Sequence, residues 1–462
     1  MLLRFKQTVV TAHMAETKNL AYIEPLRAYA ALREAMPHAV WLDGEQGGQF
    51  SILTAAPRLL LVFDGEQTIG STPDGKVWAS SEDPLELLNA ALGPSQQGPA
   101  PFFGGAIGYF SYELGRRLQG QAPPLGNAPE MAVGLYDWAL VIDHHANTAV
   151  LNGGFPPELP SLLEQAMAQP HAWHTVSPIS AIPQAAGYEK AFAKVQAYLR
   201  DGDCYQVNLA RQFGMRFTGD PLGVYARFRG LAGGPFSAYL DLPGGPVLSG
   251  SPERFLQLRD GVVETRPIKG TRRRAQDPLE DAELAEALLT SEKDRAENVM
   301  IVDLLRNDIG RSCAIGSVSV PQLCVLESYS TVHHMVSVVT GQIAADCAAT
   351  DLLRNCLPGG SITGAPKYRA MEIIAELEHV PRGVYCGAIG YIGYDGAMDT
   401  NIAIRTMTAR EGWLDYRAGG GLVYDSECAA EFAETESKAA AFFDVMIEAD
   451  ESSRAKQGEK HE

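Results

Sequence analysis

Short apolar runs mark the first 175 residues and predict strands joined by loops. Phe50 to Leu53, Arg58 to Phe63 and Met131 to Asp143 are the clearest. A turn-rich break from Gly93 to Pro101 precedes the run Phe102 to Phe110. A second loose stretch, rich in Ala, Pro and Ser, extends from about Gln169 to Gly187 and reads as a linker. Beyond it the period changes. Tyr188, Phe192, Val195 and Leu199 recur at helical spacing, with Gly202 as a stop. The pattern then predicts a strand from Cys204 to Phe213, a helix near 221–231 and strands near 236–242, 246–250 and 254–258. Helical spacing returns over 278–308, Asp351 to Leu357 and Pro366 to Leu377. Cys386 to Tyr394 and Thr400 to Thr408 read as paired strands, Trp413 to Ala418 as a third, and 426–448 as a C-terminal helix. The expected organisation is an N-terminal region over 1–175, a larger region over 187–448 and a polar tail over 449–462. Strands and helices mix without regular βαβ alternation. That predicts an α+β layered sandwich rather than a Rossmann sheet or a barrel.

Composition narrows the class. The 462 residues are 46% hydrophobic and 20% charged, an ordinary globular balance. No run of 18 apolar residues offers a membrane span, and Met1 to Gln7 lacks the pattern of a signal peptide, so a cytoplasmic location is expected. The net charge of −18 argues against a nucleic-acid partner, which requires a basic face. An anionic substrate would then need local cations or a metal. The seven cysteines form no CxxC pair and read as reduced thiols.

Four stretches could carry chemistry. Asp294 and Glu297 sit three apart on one helix, and Glu431, Glu434 and Lys438 share a face of another. Carboxylates converging from two helices suit magnesium, although acidic residues at this spacing are equally a solvated face. Pro358 to Lys367 brings Gly, Ser and Thr into a helix start, either an anion-holding turn or a plain glycine turn. It lacks the spacing of a nucleotide-binding P-loop. On the run Asp399 to Thr406, alternation puts Asn401, Ala403 and Arg405 on one face, with Arg405 suited to a carboxylate or to a structural ion pair. The glycines Gly419, Gly420 and Gly421 follow a nearby strand as a close-approach site or a flexible turn. Finally, Lys269 lies in the basic run Arg266 to Arg274, a possible nucleophile or a solvated loop residue, and Glu253 and His334 are candidate proton-handling groups.

Taken in order, these blocks resemble the chorismate-utilising enzymes: anthranilate synthase component I, aminodeoxychorismate synthase component I, and the isochorismate and salicylate synthases. The resemblance is dense from Gly187 to Phe443. It rests on Gly202 to Arg211, Ser251 to Phe255, Lys293 to Asn298, Arg306 to Arg311, Pro358 to Lys367, Asp399 to Arg405 and Glu431 to Lys438. It is thinner before that, mainly Gly104 to Tyr109. The resemblance implies an anthranilate synthase component I-like fold, two layered β-sheets with helices outside, and a magnesium cofactor. It implies Glu297 and Glu434 as metal ligands, supported by Asp294 and Glu431. Substrate contacts fall on Gln206, Thr271, Thr363, Gly364, Tyr391, Arg405, Gly419, Gly420 and Lys438, with Lys269, Glu253 and His334 catalytic.

Two positions divide the family. Isochorismate and salicylate synthases carry a lysine where Gln206 stands, and anthranilate synthases carry a small residue where Lys269 stands. Gln206 with Lys269 resembles the aminodeoxychorismate synthase branch, which implies a lysine nucleophile, chorismate as substrate and ammonia from a separate glutamine amidotransferase subunit. Anthranilate and isochorismate formation are the alternative activities. Relatives bind tryptophan near the segment matching Val40 to Gly44. Here Gly44 replaces a serine and Trp41 adds bulk, a departure that speaks against tryptophan at that place.

Overall fold

A computed structural model describes residues 16–123, 126, 128–167, 171–329 and 332–458, with side chains described as far as Val445. The expectations for Met1 to Gln7 and for the side chains of the 449–462 tail lie outside the described residues. The backbone helix that begins at Cys428 continues to Gly458, past its expected end at 448.

Two antiparallel sheets, one of 13 strands and one of 12, face each other. Val40, Ile52, Ala139, Ala238 and Val247 from the larger sheet meet Ile107, Tyr109, Ala132 and Ile389 from the smaller in a shared apolar layer. The outer face of the larger sheet is covered by the helices Pro25–Ala35, Pro221–Ala232 and Cys428–Gly458. The smaller sheet buries its outer face against Pro84–Leu92, Ala349–Cys356 and Lys367–Leu377. Strands from both ends of the chain enter each sheet. Val40–Asp43 pairs with Phe236–Leu240 in one, and Gly105–Phe110 pairs with Ala388–Gly393 in the other. The stretch read as a linker contributes two short strands, Trp173–Thr175 and Ser180–Ile182, to the long strand Gln206–Gly219. The helical pattern over 278–308 divides into Pro278–Leu289 and Glu292–Gly310, where Ser291 caps the second helix through the Asp294 amide.

Several apolar runs that read as single strands change sheets partway. Met131–Tyr136 lies in the smaller sheet and Trp138–Asp143 in the larger. Met398–Ile402 lies in the smaller sheet and Thr406–Arg410 in the larger, so Thr400 to Thr408 is not one strand. Strands that serve two packed sheets must bend at the corner. Here Arg405 takes a left-handed backbone, φ +48°, at that bend. Asn401, Ala403 and Arg405 therefore do not share one strand face, which corrects the alternation read from sequence. The three glycines are likewise no turn: they lie inside the strand Trp413–Leu422, opposite Ala210, Leu209 and Asn208.

Candidate active site

The site forms where the chain crosses between sheets. Val247–Ser251 belongs to the larger sheet and Arg254–Arg259 to the smaller, leaving Glu253 on the crossing. The Arg405 crossing runs beside it. Ser251 Oγ donates to the Ile402 carbonyl at 2.6 Å, the Ile402 amide donates to Glu253 O at 3.0 Å, and the Gly250 amide donates to Arg405 O at 2.8 Å. Two charged residues distant in sequence are thus held by one backbone network, which fixes them more firmly than loop tips would.

Glu253 is buried, and loss of solvent pushes its carboxyl up to about 7, against the opposing pull of Lys269. Ser361 Oγ donates to Glu253 Oε1 at 3.3 Å. Lys269 stands on the strand Ile268–Arg273, with Nζ 2.9 Å from Glu297 Oε1. Gly270 after it has φ +87°, and an added Cβ would come 3.0 Å from Asp294 Cγ. A glycine here lets the strand approach the helix Glu292–Gly310. Thr271 pairs across the sheet with His334, its Oγ1 2.9 Å from the ring Nδ1. Burial, and then the charge of Arg405, push His334 down to about 4, so it is a neutral imidazole at pH 7.

The far wall is the strand Trp413–Leu422. Lys438 Nζ donates to the Gly419 carbonyl at 2.9 Å and lies 2.6 Å from Glu434 Oε1. At Gly420 an added Cβ would meet Glu431 Oε2 at 3.1 Å and Glu434 Oε1 at 3.4 Å. Burial, and next to it the Glu434 charge, push the Glu431 carboxyl up. Glu431 and Glu434 therefore form an oxygen-rich pair of like charge, a donor set that fits a hard divalent cation. Glu297 and Glu434 each hold a lysine, and Asp294 holds Arg272 at 3.0 Å. Among the described residues no three or more His, Cys, Asp or Glu side chains converge as a metal-holding group, so the four expected ligands are not gathered into one cage.

The Pro358 to Lys367 run closes the floor. Thr363 is buried with its hydroxyl on the Gly359 carbonyl, 2.9 Å, and Gly364 pairs with Val207. A Cβ at Gly364 would meet Gln206 O at 2.0 Å. Lys367 is a structural group, its Nζ 2.6 Å from Asp308 Oδ2. Gln206 is fully buried beneath the glycines, and a Cβ at Gly421 would come 2.4 Å from its Nε2.

Tyr391 lines a cavity of about 450 Å³ that also touches Gly44, Pro235, Pro252, Ile268 and Asn401. Trp41 is fully buried nearby in the larger sheet, and a Cβ at Gly44 would strike Phe50 O at 2.2 Å, so no serine fits that backbone. The basic run is neutralised: Arg272, Arg273 and Arg274 pair with Asp294, Glu280 and Asp281. The thiols are unpaired, and five of the seven are buried.

Arg382 is a site residue that sequence reasoning passed over, having no neighbouring motif. It is 3% exposed and donates to Ile362 O at 3.0 Å, Asn208 O at 2.8 Å and both oxygens of Glu378. It ties the floor loop to the strand carrying Gln206. Arg382→Met leaves Glu378 buried without its partner and is expected to cost about 3–5 kcal/mol in chemical denaturation. A loss below about 1 kcal/mol would show that the network is not a structural clamp.

Comparison with known proteins agrees with this architecture. A family model described as chorismate binding enzyme matches residues 16–444. The chain is 47% identical over 402 residues to aminodeoxychorismate synthase component 1 of Klebsiella aerogenes, covering 84% of this chain and 88% of that one. The Escherichia coli K12 protein of the same name is 44% identical over 401 residues, with 84% and 88% covered. Among solved structures, anthranilate synthase component I from Streptococcus pneumoniae superimposes with a TM-score of 0.75 at 32% identity, over 85% of this chain and 92% of that one. With this match and this arrangement, the chain belongs to the chorismate-binding enzyme family.

Proposed function

We propose that the chain acts as component 1 of an aminodeoxychorismate synthase, converting chorismate and ammonia to 4-amino-4-deoxychorismate, the precursor of 4-aminobenzoate and folate. The observation that carries this reading is Lys269 within electrostatic reach of the buried Glu253, whose carboxyl is pushed up to about 7, in a chain 44–47% identical to relatives of that name. Glu297 and Glu434, supported by Asp294 and Glu431, would hold magnesium, which supplies positive charge for one substrate carboxylate. Arg405, Lys438 and the backbone amides around Thr363, Gly364, Gly419 and Gly420 are the groups available to the rest of the substrate.

As the uncharged amine, Lys269 Nζ bonds through its lone pair to ring carbon 2, the ring double bonds shift, and the bond from carbon 4 to its hydroxyl breaks. Glu253 gives its proton to the departing oxygen, which leaves as water. Ammonia then bonds to carbon 4, the double bonds shift back and the bond to Nζ breaks. The surplus proton on the new amine returns to Glu253. His334, neutral and held by Thr271, borders the ring without adding charge.

The word component in the relatives' names supports a partner. We assign that role to a glutamine amidotransferase subunit delivering ammonia in the cytoplasm. No helix among the described residues is long and apolar enough to cross a membrane.

The test is purified chain with chorismate, magnesium and ammonium at alkaline pH, the product identified by mass. Formation of 4-amino-4-deoxychorismate is expected. Anthranilate or isochorismate as the main product would sink the proposal. Chelation with EDTA is expected to lower turnover at least about a hundredfold, with recovery on adding magnesium. Full activity in EDTA would remove the metal from the mechanism.

A further inference from the structure

Along the strand Trp413–Leu422, Leu414, Tyr416 and Ala418 belong to the outer core beneath the helices. Alternation turns Trp413, Asp415 and Arg417 the other way, toward the smaller sheet. Neighbouring strands place Gln212 opposite Arg417 and Thr408 opposite Asp415. Facing sheets normally meet through apolar side chains that interdigitate. Here these polar residues line a cavity of about 360 Å³ instead, with Tyr109 and Val384 across from them.

Arg417 is 6% exposed. Among the described residues its guanidinium makes a single hydrogen bond, from Nη1 to Val380 O at 3.4 Å, and its Nε makes none. Asp415 Oδ2 lies 3.6 Å from that Nε, while Asp415 Oδ1 accepts from Gln212 Nε2 at 2.9 Å. The other charged groups on the walls are better served. Glu113 accepts from the Arg382 and Gly383 amides at 2.8 Å each, Arg117 holds Glu130 at 2.8 Å, and Glu378 holds Arg382 at 2.7 Å. Arg410, partly exposed, lies 3.7 Å from Glu411 Oε1. The carboxylates thus have their donors, whereas Arg417 and Arg410 are short of acceptors. A carboxylate offers two acceptors to one guanidinium.

We infer that this cavity is a binding site for a small monocarboxylate with a flat apolar ring, its carboxylate seated on Arg417. Tyr109, Val247, Val384 and Trp413 supply the apolar walls for the ring, and Arg410 adds a second positive charge. The volume falls in the range of small-molecule pockets, about 300–1,000 Å³. Water is the competing occupant, at about 30 Å³ per molecule. Arg382 separates this cavity from the proposed substrate floor, lining the one while it bonds Ile362 O and Asn208 O of the other. The site does not depend on the aminating reaction, because binding alone reads it.

Benzoate is the probe, titrated into the purified chain by calorimetry. Wild type is expected to bind it with a Kd of about 1 mM or tighter. Benzamide, the same ring without the charge, should bind at least about tenfold more weakly. Arg417→Met removes the cation, and Thr408→Trp fills the cavity while leaving every charge in place. Each should weaken benzoate at least about tenfold, and the tryptophan variant decides the matter if the methionine variant fails to fold. Arg405→Asn, which removes a guanidinium from the proposed substrate cleft, should leave benzoate binding within twofold of wild type. Binding lost in Arg405→Asn but kept in the other two would put benzoate in the substrate cleft and overturn this site. Binding unchanged in all three variants would overturn it as well. A wild-type chain that takes up no benzoate would mean the cavity holds only water, and would overturn the site while leaving the proposed reaction untouched.

Discussion

Lys269→Ala is expected to lower formation of 4-amino-4-deoxychorismate at least about a hundredfold, with a KM for chorismate changed only a few-fold. The lysine is partly shielded on a strand, held by Glu297 at 2.9 Å and close enough to Glu253 for its charge to lower that carboxyl's proton affinity. Its removal takes away a bond made only during the reaction, so the loss belongs in kcat. The fold should tolerate the change, because the abandoned Glu297 retains access to water. By the resemblance, alanine at this position is the residue of anthranilate synthases. The variant's products should therefore be searched for anthranilate by fluorescence. Undiminished amination would show that Lys269 is no nucleophile.

Glu253→Gln is expected to separate activity from stability. Glutamine cannot deliver a proton, so turnover should fall by roughly 10²–10⁴. Stability should move the other way, and only above a certain pH. The carboxyl titrates at about 7 in the fold against 4.5 for the free group, so the unfolded chain loses this proton first as pH rises. Below pH 4.5 both states carry the proton and the residue costs nothing. Between 4.5 and 7 the folded state is progressively penalised, and above 7 the penalty is constant. At about 1.4 kcal/mol per tenfold difference in proton affinity, the ceiling is roughly 3 kcal/mol. Glu253→Gln should therefore be about 1–3 kcal/mol more stable than wild type at pH 8 and equal to it at pH 4, by urea denaturation at both. A variant less stable at pH 8 would mean that the carboxylate is paired rather than strained. Active sites commonly hold such penalised groups, because the environment that raises a proton's affinity is the one that burial creates.

Much of this arrangement was legible along the chain. Short-range pattern predicted a helix through Tyr188 to Leu199 with Gly202 as its stop, observed as Ala185–Asp201, and a strand from Cys204 to Phe213, observed as Gln206–Gly219. Local chemistry marked Lys269, Glu253, His334 and the acidic helix faces, and the order of these blocks identified the family. These features are local: side-chain period, caps and turn residues act over a few positions, so a linear reading captures them.

Tertiary structure decided the rest. Alternation within Thr400 to Thr408 was correctly read as extended chain, but periodicity carries no record of which sheet an extended segment joins. The bend at Arg405 exists because two sheets pack face to face and share strands. The same packing brings Tyr391 into a cavity with Gly44 and Ile268 and brings Arg382 under Asn208. Burial is likewise a property of the assembled core, and only burial turns Glu253 from an ordinary carboxylate into a group protonated near neutrality. The chain alone thus specified which chemical groups are present and in what order. The close approach of strands distant in sequence specified which of them meet, and in what charge state.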